Sequence, residues 1–328
     1  MRPLKFCASF VVATAAIAFL VAIPHAVAQS YPQRPVRMIV PFPPGGSTDI
    51  VARVIAQNLS ERLGRQVVVD NRGGAGGIIG MNLAAKATPD GYTLLMDTGI
   101  THAAGASLYS NLPYNVLTDF AAITEVASVP LLVVINPAVS AKSIEELIDL
   151  AKAKPGQLNY SSPGSGTSGH LAAELLKTMA GANIVHVPYK GGGPAVAALV
   201  AGEVQLTIIS AVAALPHVKS GRLRALAITS LARVPSLPDI PTVAESGVPD
   251  YEVELWYGMF APAKTPRNLL GRLNRELVKI VQGQQFRDRL TSEGGRAVGN
   301  SEREFEERVK ADVEKWAKVV KDAGIKID

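Results

Sequence analysis

The sequence predicts an α/β fold, a parallel sheet with helices on both faces, divided between two domains. Three observations predict it. Strand-like apolar runs alternate with amphipathic helical stretches along most of the chain. Glycine-rich turns follow a strand and open a helix at 42–49 and 161–169, with a weaker one at 189–194. Of the 328 residues, roughly 300 follow an N-terminal leader, more than one hydrophobic core usually holds.

Taken in order, Val36–Val40 reads as a strand. Ile50, Val51, Val54, Ile55, Leu59 and Leu63 recur at helical spacing from about Ser47, and Gly64 stops that helix. Val67–Val69 is a short strand, and the glycine-rich run 73–77 leads into a helix through Lys86. The Pro89-Asp90-Gly91 turn precedes a strand at Thr93–Met96. Leu131–Ile135 is a buried strand ended by Asn136-Pro137. Ser143 and Glu146 predict a capping box on a helix running to about Ala153. Strands at Leu158–Tyr160, Ile184–Val187, Val204–Ile209 and Leu223–Ile228 then alternate with helices at Leu171–Met179, Ala195–Val200 and Ala211–Val218. After Pro235–Pro241 come a strand near Val253–Phe260 and three helices, Arg267–Val281, Gln285–Thr291 and Ser301–Lys321. The last is amphipathic through Phe305, Val309, Val313, Trp316 and Val320. A helical C-terminus after a complete α/β unit predicts that the chain returns to its first domain. The expected division is 29–130 plus 235–328 against 131–234, with two crossovers as a hinge.

Residues 1–28 read as a secretory signal: Arg2 and Lys5, an apolar run from Phe6 to Ile23, and an Ala26-Val27-Ala28 cleavage site. An uncleaved anchor is the competing reading, and Pro24 with the small-residue site favours cleavage. The mature net charge is then 31 − 28 = +3, with the bases scattered, so no nucleic-acid partner is expected. The single cysteine, Cys7, lies inside the leader. The mature chain therefore offers no disulfide and no thiolate metal site. His102, His170, His186 and His217 show no paired metal spacing, so no metal is expected.

The glycine-rich turns carry the chemistry. A helix N-terminus presents unpaired N–H groups and roughly half a positive charge, glycine admits a ligand close to the backbone, and Ser and Thr add hydroxyl donors. Three such turns predict a pocket for a small anion, a carboxylate above all. Gly164-x-Gly166-x-x-Gly169 also matches a dinucleotide fingerprint, but no acid stands in the stretch 184–189 where the ribose partner belongs, so no cofactor is expected. Ser165 or Ser168 with His170 admits a hydrolase reading, although the spacing is not that of a nucleophile elbow. Asp49 is either a first-turn acid or a pocket residue, Ser47 and Thr48 compete for the helix cap, and Phe42 is either core or a ring facing the ligand.

Several stretches resemble the Bug-type receptors of tripartite tricarboxylate transporters. They are Val40-Pro41-Phe42-Pro43-Pro44-Gly45-Gly46-Ser47-Thr48-Asp49, Asn71-Arg72-Gly73-Gly74-Ala75-Gly76-Gly77 and Pro89-Asp90-Gly91-Tyr92-Thr93-Leu94. Leu158-Asn159-Tyr160-Ser161-Ser162, His186-Val187-Pro188-Tyr189-Lys190-Gly191, Pro241-Thr242-Val243-Ala244-Glu245-Ser246-Gly247 and Lys315-Trp316-Ala317-Lys318-Val319-Val320 complete the set. The resemblance implies a periplasmic-binding-protein (Venus-flytrap, type II-like) fold, with two lobes of mainly parallel sheet flanked by helices. It implies a periplasmic, non-enzymatic receptor, expected to be monomeric, that delivers a small carboxylate, dicarboxylic or aromatic, to membrane permease subunits. Carried over, Phe42, Gly46, Ser47, Thr48 and Asp49 bind from one lobe. Ser162, Gly164, Gly166 and Thr167 bind from the other, with His170 behind them and Tyr189, Gly191 and Gly192 beside them. The chain departs from its relatives around Thr98 and Ser210, both ligand positions by the same carry-over. The departures make the cleft more apolar and imply a ligand less polar than a hydroxylated tricarboxylate. An orphan receptor signalling to a sensor kinase is the alternative within the same fold.

Overall fold

The computed structural model describes residues 31–325 and Ile327. The proposed leader, residues 1–28 with Cys7, lies outside the described residues. From Arg34 on, the described residues cluster into one compact unit. Among the described residues no helix is long and apolar enough to cross a membrane.

Among the described residues ten strands and ten α-helices follow one another: β1 Val36–Val40, α1 Ser47–Leu63, β2 Val67–Asn71, α2 Ile78–Ala85, β3 Thr93–Thr98, α3 Gly99–Leu108 and β4 Phe120–Ile135. Then come α4 Ile144–Ala153, β5 Asn159–Ser162, α5 Ser168–Ala180, β6 Val185–Pro188, α6 Gly192–Ala201, β7 Leu206–Ser210, α7 Ala211–Lys219 and β8 Arg224–Ile228. The chain closes with β9 Glu254–Pro262, α8 Arg267–Val281, α9 Gln284–Ser292, β10 Arg296–Ala297 and α10 Glu302–Asp322.

The strand order is β2-β1-β3-β9-β4-β7-β5-β6, with β8 and β10 also on β4. The 16-residue β4 joins two halves. Its first part, 120–130, pairs with β9, and Leu131–Ile135 pairs with β7 and β8. The flanks β2-β1-β3 and β6-β5-β7 are parallel. The centre is antiparallel through β3-β9, β9-β4 and β4-β7. The parallel pairing that the alternation predicts therefore holds at the flanks, whereas β4 and β9 run between the halves and enter reversed. Thr229 ties these two connections together: its hydroxyl lies 2.9 Å from the Leu131 N–H and donates to the Val253 carbonyl at 2.7 Å.

The first half owes its core to aromatic packing. Trp256 and Phe260 of β9 meet Phe120, Ile39, Leu95 and Met81, and α10 lays Phe305 and Val309 over them. The Trp256 indole donates to Asp312 on α10 at 2.6 Å. The C-terminal helix thus packs on the first half. Burial of each such side chain is worth ~1.5–3 kcal/mol. Ser143 caps α4 by accepting the Glu146 N–H, but Glu146 turns back to the Lys142 N–H instead of completing the predicted box. The complete capping box stands at Ser301 and Glu304 on α10.

Candidate functional site

The parallel strands of both halves end at one edge of the sheet, and each feeds a helix directly, the arrangement in which α/β proteins bind ligands. Five helix starts line one cavity of about 50 Å³: Ser47 and Thr48 of α1, Thr98 and Thr101 of α3, Thr167, Ser168 and Gly169 of α5, Gly192 of α6 and Ser210 before α7. The caps of these helices are Gly46, Thr98, Thr167, Gly191 and Ser210, and none makes a side-chain cap bond. Among the described residues seven hydroxyl residues line the cavity, together with the apolar Phe42, Leu131, Ile209 and Leu255, and no charged side chain does. Helix dipoles and uncapped amides therefore set its positive potential, with no internal counter-ion to neutralise it.

Tyr257 fastens this edge. Its hydroxyl lies 2.9 Å from the Ser210 hydroxyl at the start of α7. Burial pushes its phenol up to about 12, against the Ser210 hydroxyl and the Ser47 hydroxyl at the start of α1, which both act to lower it. The first and third turns touch directly, since a Cβ on Gly46 would lie 3.7 Å from the Gly192 nitrogen.

A wider mouth of about 440 Å³ adjoins the cavity, lined by the 73–77 loop, Gly164, Tyr189, Lys190 and Gly191. Phe42 and Pro163 line both spaces, so Phe42 is a half-buried wall of the cleft rather than core. Lys190 is exposed and has no ion-pair partner among the described residues.

The sequence-predicted residues divide accordingly. Phe42, Gly46, Ser47, Thr48, Thr98, Thr167, Gly192 and Ser210 line the inner cavity, and Gly164, Tyr189 and Gly191 the mouth. Neither Ser47 nor Thr48 caps α1, because Gly46 occupies the cap. Asp49 lines neither space and is held in a network: it accepts the Gly45 N–H at 3.0 Å, Asn71 Nδ2 at 3.0 Å and Arg53 Nε at 3.0 Å. Burial raises its pKa, but these bonds outweigh burial and hold the carboxyl below its usual range. Asp49 thus shapes the first turn. Ser162 is fully buried, with its hydroxyl 2.6 Å from His186 Nε2. Gly166 donates its N–H to His170 Nδ1 at 3.1 Å, neither residue lines the cavity or the mouth, and His170 bonds neither Ser165 nor Ser168. Tyr189 donates to Glu203 at 3.2 Å.

Thr101, Leu131, Ile209 and Leu255 escape the sequence reading. Thr101 follows a helix start with no glycine-rich signature, and the other three lie on strands that only the topology brings to this edge.

The chain matches the family model described as tripartite tricarboxylate transporter family receptor over residues 51–325. It is 40% identical to Protein BugT of Bordetella pertussis over 317 residues, 96% of each chain. Among solved structures, R. palustris Rpa4515 with adipate superposes with a TM-score of 0.88 at 38% identity, covering 90% of this chain and 99% of that one. MatC from Rhodopseudomonas palustris with bound malate gives a TM-score of 0.85 at 31% identity, covering 88% of this chain and 100% of the other. With a two-lobed solute-binding architecture, helix starts converging on one uncharged cavity, and similarity along nearly its whole length, this chain belongs to the tripartite tricarboxylate transporter receptor family.

Proposed function

We propose that the chain is a periplasmic receptor that closes its two lobes, 29–130 plus 235–328 and 131–234, on a small carboxylate and delivers it to the permease subunits of a tripartite transporter. The observation that carries this reading is the convergence of five uncapped helix starts on a cavity that, among the described residues, has no charged side chain. Such a cavity favours an anion, and hydroxyl donors at Ser47, Thr98, Thr167 and Ser210 suit carboxylate oxygens. The reading includes no catalytic step: the Nδ1 lone pair of His170 accepts the Gly166 N–H, and His170 bonds neither Ser165 nor Ser168. The relatives solved with adipate and malate support a dicarboxylate. One carboxylate would occupy the inner cavity, and the second would extend between Phe42 and Pro163 to the mouth, within reach of Lys190.

A thermal-shift panel of mono-, di- and tricarboxylates tests this. A bound dicarboxylate at ~100 times its Kd adds ~2.7 kcal/mol of stability. Lys190→Ala is expected to weaken adipate by about two- to fivefold, the worth of an exposed ion pair, and to leave hexanoate unaffected. A panel in which only neutral or cationic solutes raise the melting temperature contradicts the reading.

A further inference from the structure

Behind the second glycine-rich turn two imidazoles lie face to face. His170 of α5 and His186 of β6 stack with ring centroids 4.2 Å apart and planes 21° from parallel. Tyr160 of β5 stacks on His186 at 4.7 Å. His170 is only 5% exposed, and its Nδ1 accepts the Gly166 N–H at 3.1 Å, so that nitrogen carries no proton. Gly166 sits at φ 77°, a left-handed conformation held in place by this bond. His186 Nε2 lies 2.6 Å from the Ser162 hydroxyl, which accepts the Gly164 N–H at 3.1 Å. The Gly164 carbonyl in turn accepts from the Thr167 hydroxyl at 2.7 Å. The turn that carries Thr167 into the cavity therefore rests on the two rings.

The other titratable groups around the pair keep their charge under mild acid. Glu174, on the same helix as His170, accepts from Tyr160 at 2.6 Å and from Lys177 at 2.7 Å. Burial raises its pKa, but these bonds outweigh burial and hold it below the usual range. Tyr109 reaches the Ser165 carbonyl at 3.4 Å, and Tyr251 bonds the Ala172 carbonyl of α5 at 2.8 Å. Burial raises the phenols of Tyr109, Tyr160 and Tyr251, so all three stay neutral.

We propose that His170 and His186 are positioning residues of the carboxylate-binding turn, which hold it only as neutral stacked rings, so that acidification unlocks the turn and weakens capture. Protonated His170 would set an N–H against the Gly166 N–H and a charge against the His186 ring, and movement of the turn relieves both. Because the turn leads into Thr167, Ser168 and Gly169, its movement opens the cavity. Burial pushes the His170 imidazole down, and burial together with His170 pushes His186 down to about 4. The unfolded chain titrates near ~6.5, so it binds protons that the folded chain refuses. Stability is therefore full above about pH 6.5 and falls as the pH drops toward the folded values.

The carboxylate half of this inference rests on the receptor reading; the stability half does not. The test compares the parent with His170→Asn and with His170→Asn/His186→Gln, in which amide oxygens stand where ring nitrogens did but do not titrate. Ligand-free melting temperature and adipate Kd are measured from pH 7.5 to 4.0. The parent's melting temperature is expected to fall by several degrees more than those of the variants, already by pH 5.5. Its Kd is expected to rise at least about twofold more by pH 4, where the folded His186 takes up its proton, with adipate's own titration common to all. His170→Leu, with no acceptor, is expected to bind about tenfold more weakly than the parent at pH 7.5. Melting profiles of parent and variants that run parallel overturn the proposal, as does His170→Leu binding adipate like the parent. If adipate binds no form, the ligand-free profiles still decide whether the rings hold the turn, and only the receptor reading fails.

Discussion

Gly169→Ala is expected to reduce both stability and carboxylate binding sharply. A Cβ at Gly169 would lie 2.4 Å from the Ile208 carbonyl oxygen and 3.1 Å from Pro163 Cδ. The oxygen belongs to β7, whose Ile208 is registered against Val133 of β4, so it has no room to retreat. The start of α5 must lift instead. Overpacking of this kind costs ~1–3 kcal/mol. The lift also withdraws Thr167 and Ser168 from the cavity, and adipate affinity should fall at least about tenfold, the loss of one hydrogen bond to a charged group. Differential scanning calorimetry and a binding isotherm on the same variant measure the two effects. An alanine variant with the parent's melting temperature and affinity would mean that α5 does not seat on β7 at this point.

Thr167→Asp separates stability from binding in the opposite sense. Thr167 is the N-cap of α5, in extended backbone, and 2% exposed. Aspartate is a better N-cap than threonine, and its charge suits the helix dipole. The bond from the Thr167 hydroxyl to the Gly164 carbonyl is lost, and a cap bond to the first-turn amides replaces it. The melting temperature should therefore stay near the parent's. A ligand carboxylate, however, now meets a fixed one. Two such charges ~4 Å apart repel by about 4 kcal/mol at an effective dielectric of ~20. Adipate affinity should drop at least about 100-fold. Parental affinity in a well-folded Thr167→Asp protein would place the anion elsewhere.

Local pattern made much of this molecule legible. β1 spans the residues that the apolar run predicts, and α8 spans the Arg267–Val281 that the sequence reading gives it. All three glycine-rich turns reach the cleft, because the need for close backbone approach and for a helix start is written in single residues. The first part of β4 was hidden for the opposite reason. It carries Thr124, Glu125, Ser128 and Pro130 among residues buried on both faces, so it shows neither alternation nor an unbroken apolar run. Helix α3 was hidden by its two glycines, Gly99 and Gly105. Gly99 is required there, since a Cβ would lie 2.3 Å from the Trp256 ring. Strand direction is set by which strands cross between the halves, and no local pattern encodes that. The same holds for the site. Asp49 and His170 carry the residue types of a ligand contact, and only their partners, Arg53 with Asn71 and Gly166 with His186, reveal that they brace the turns.

The central claim is that uncapped helix starts, with no charged side chain, select a carboxylate. Calorimetric titration of the parent protein with adipate and with adipamide at pH 7.5 tests it most directly. The two solutes share length and shape and differ in charge. Adipate is expected to bind one per chain, and adipamide to give no measurable heat up to at least about 100 times the adipate Kd. Equal binding of the two, or binding of adipamide alone, would contradict the account.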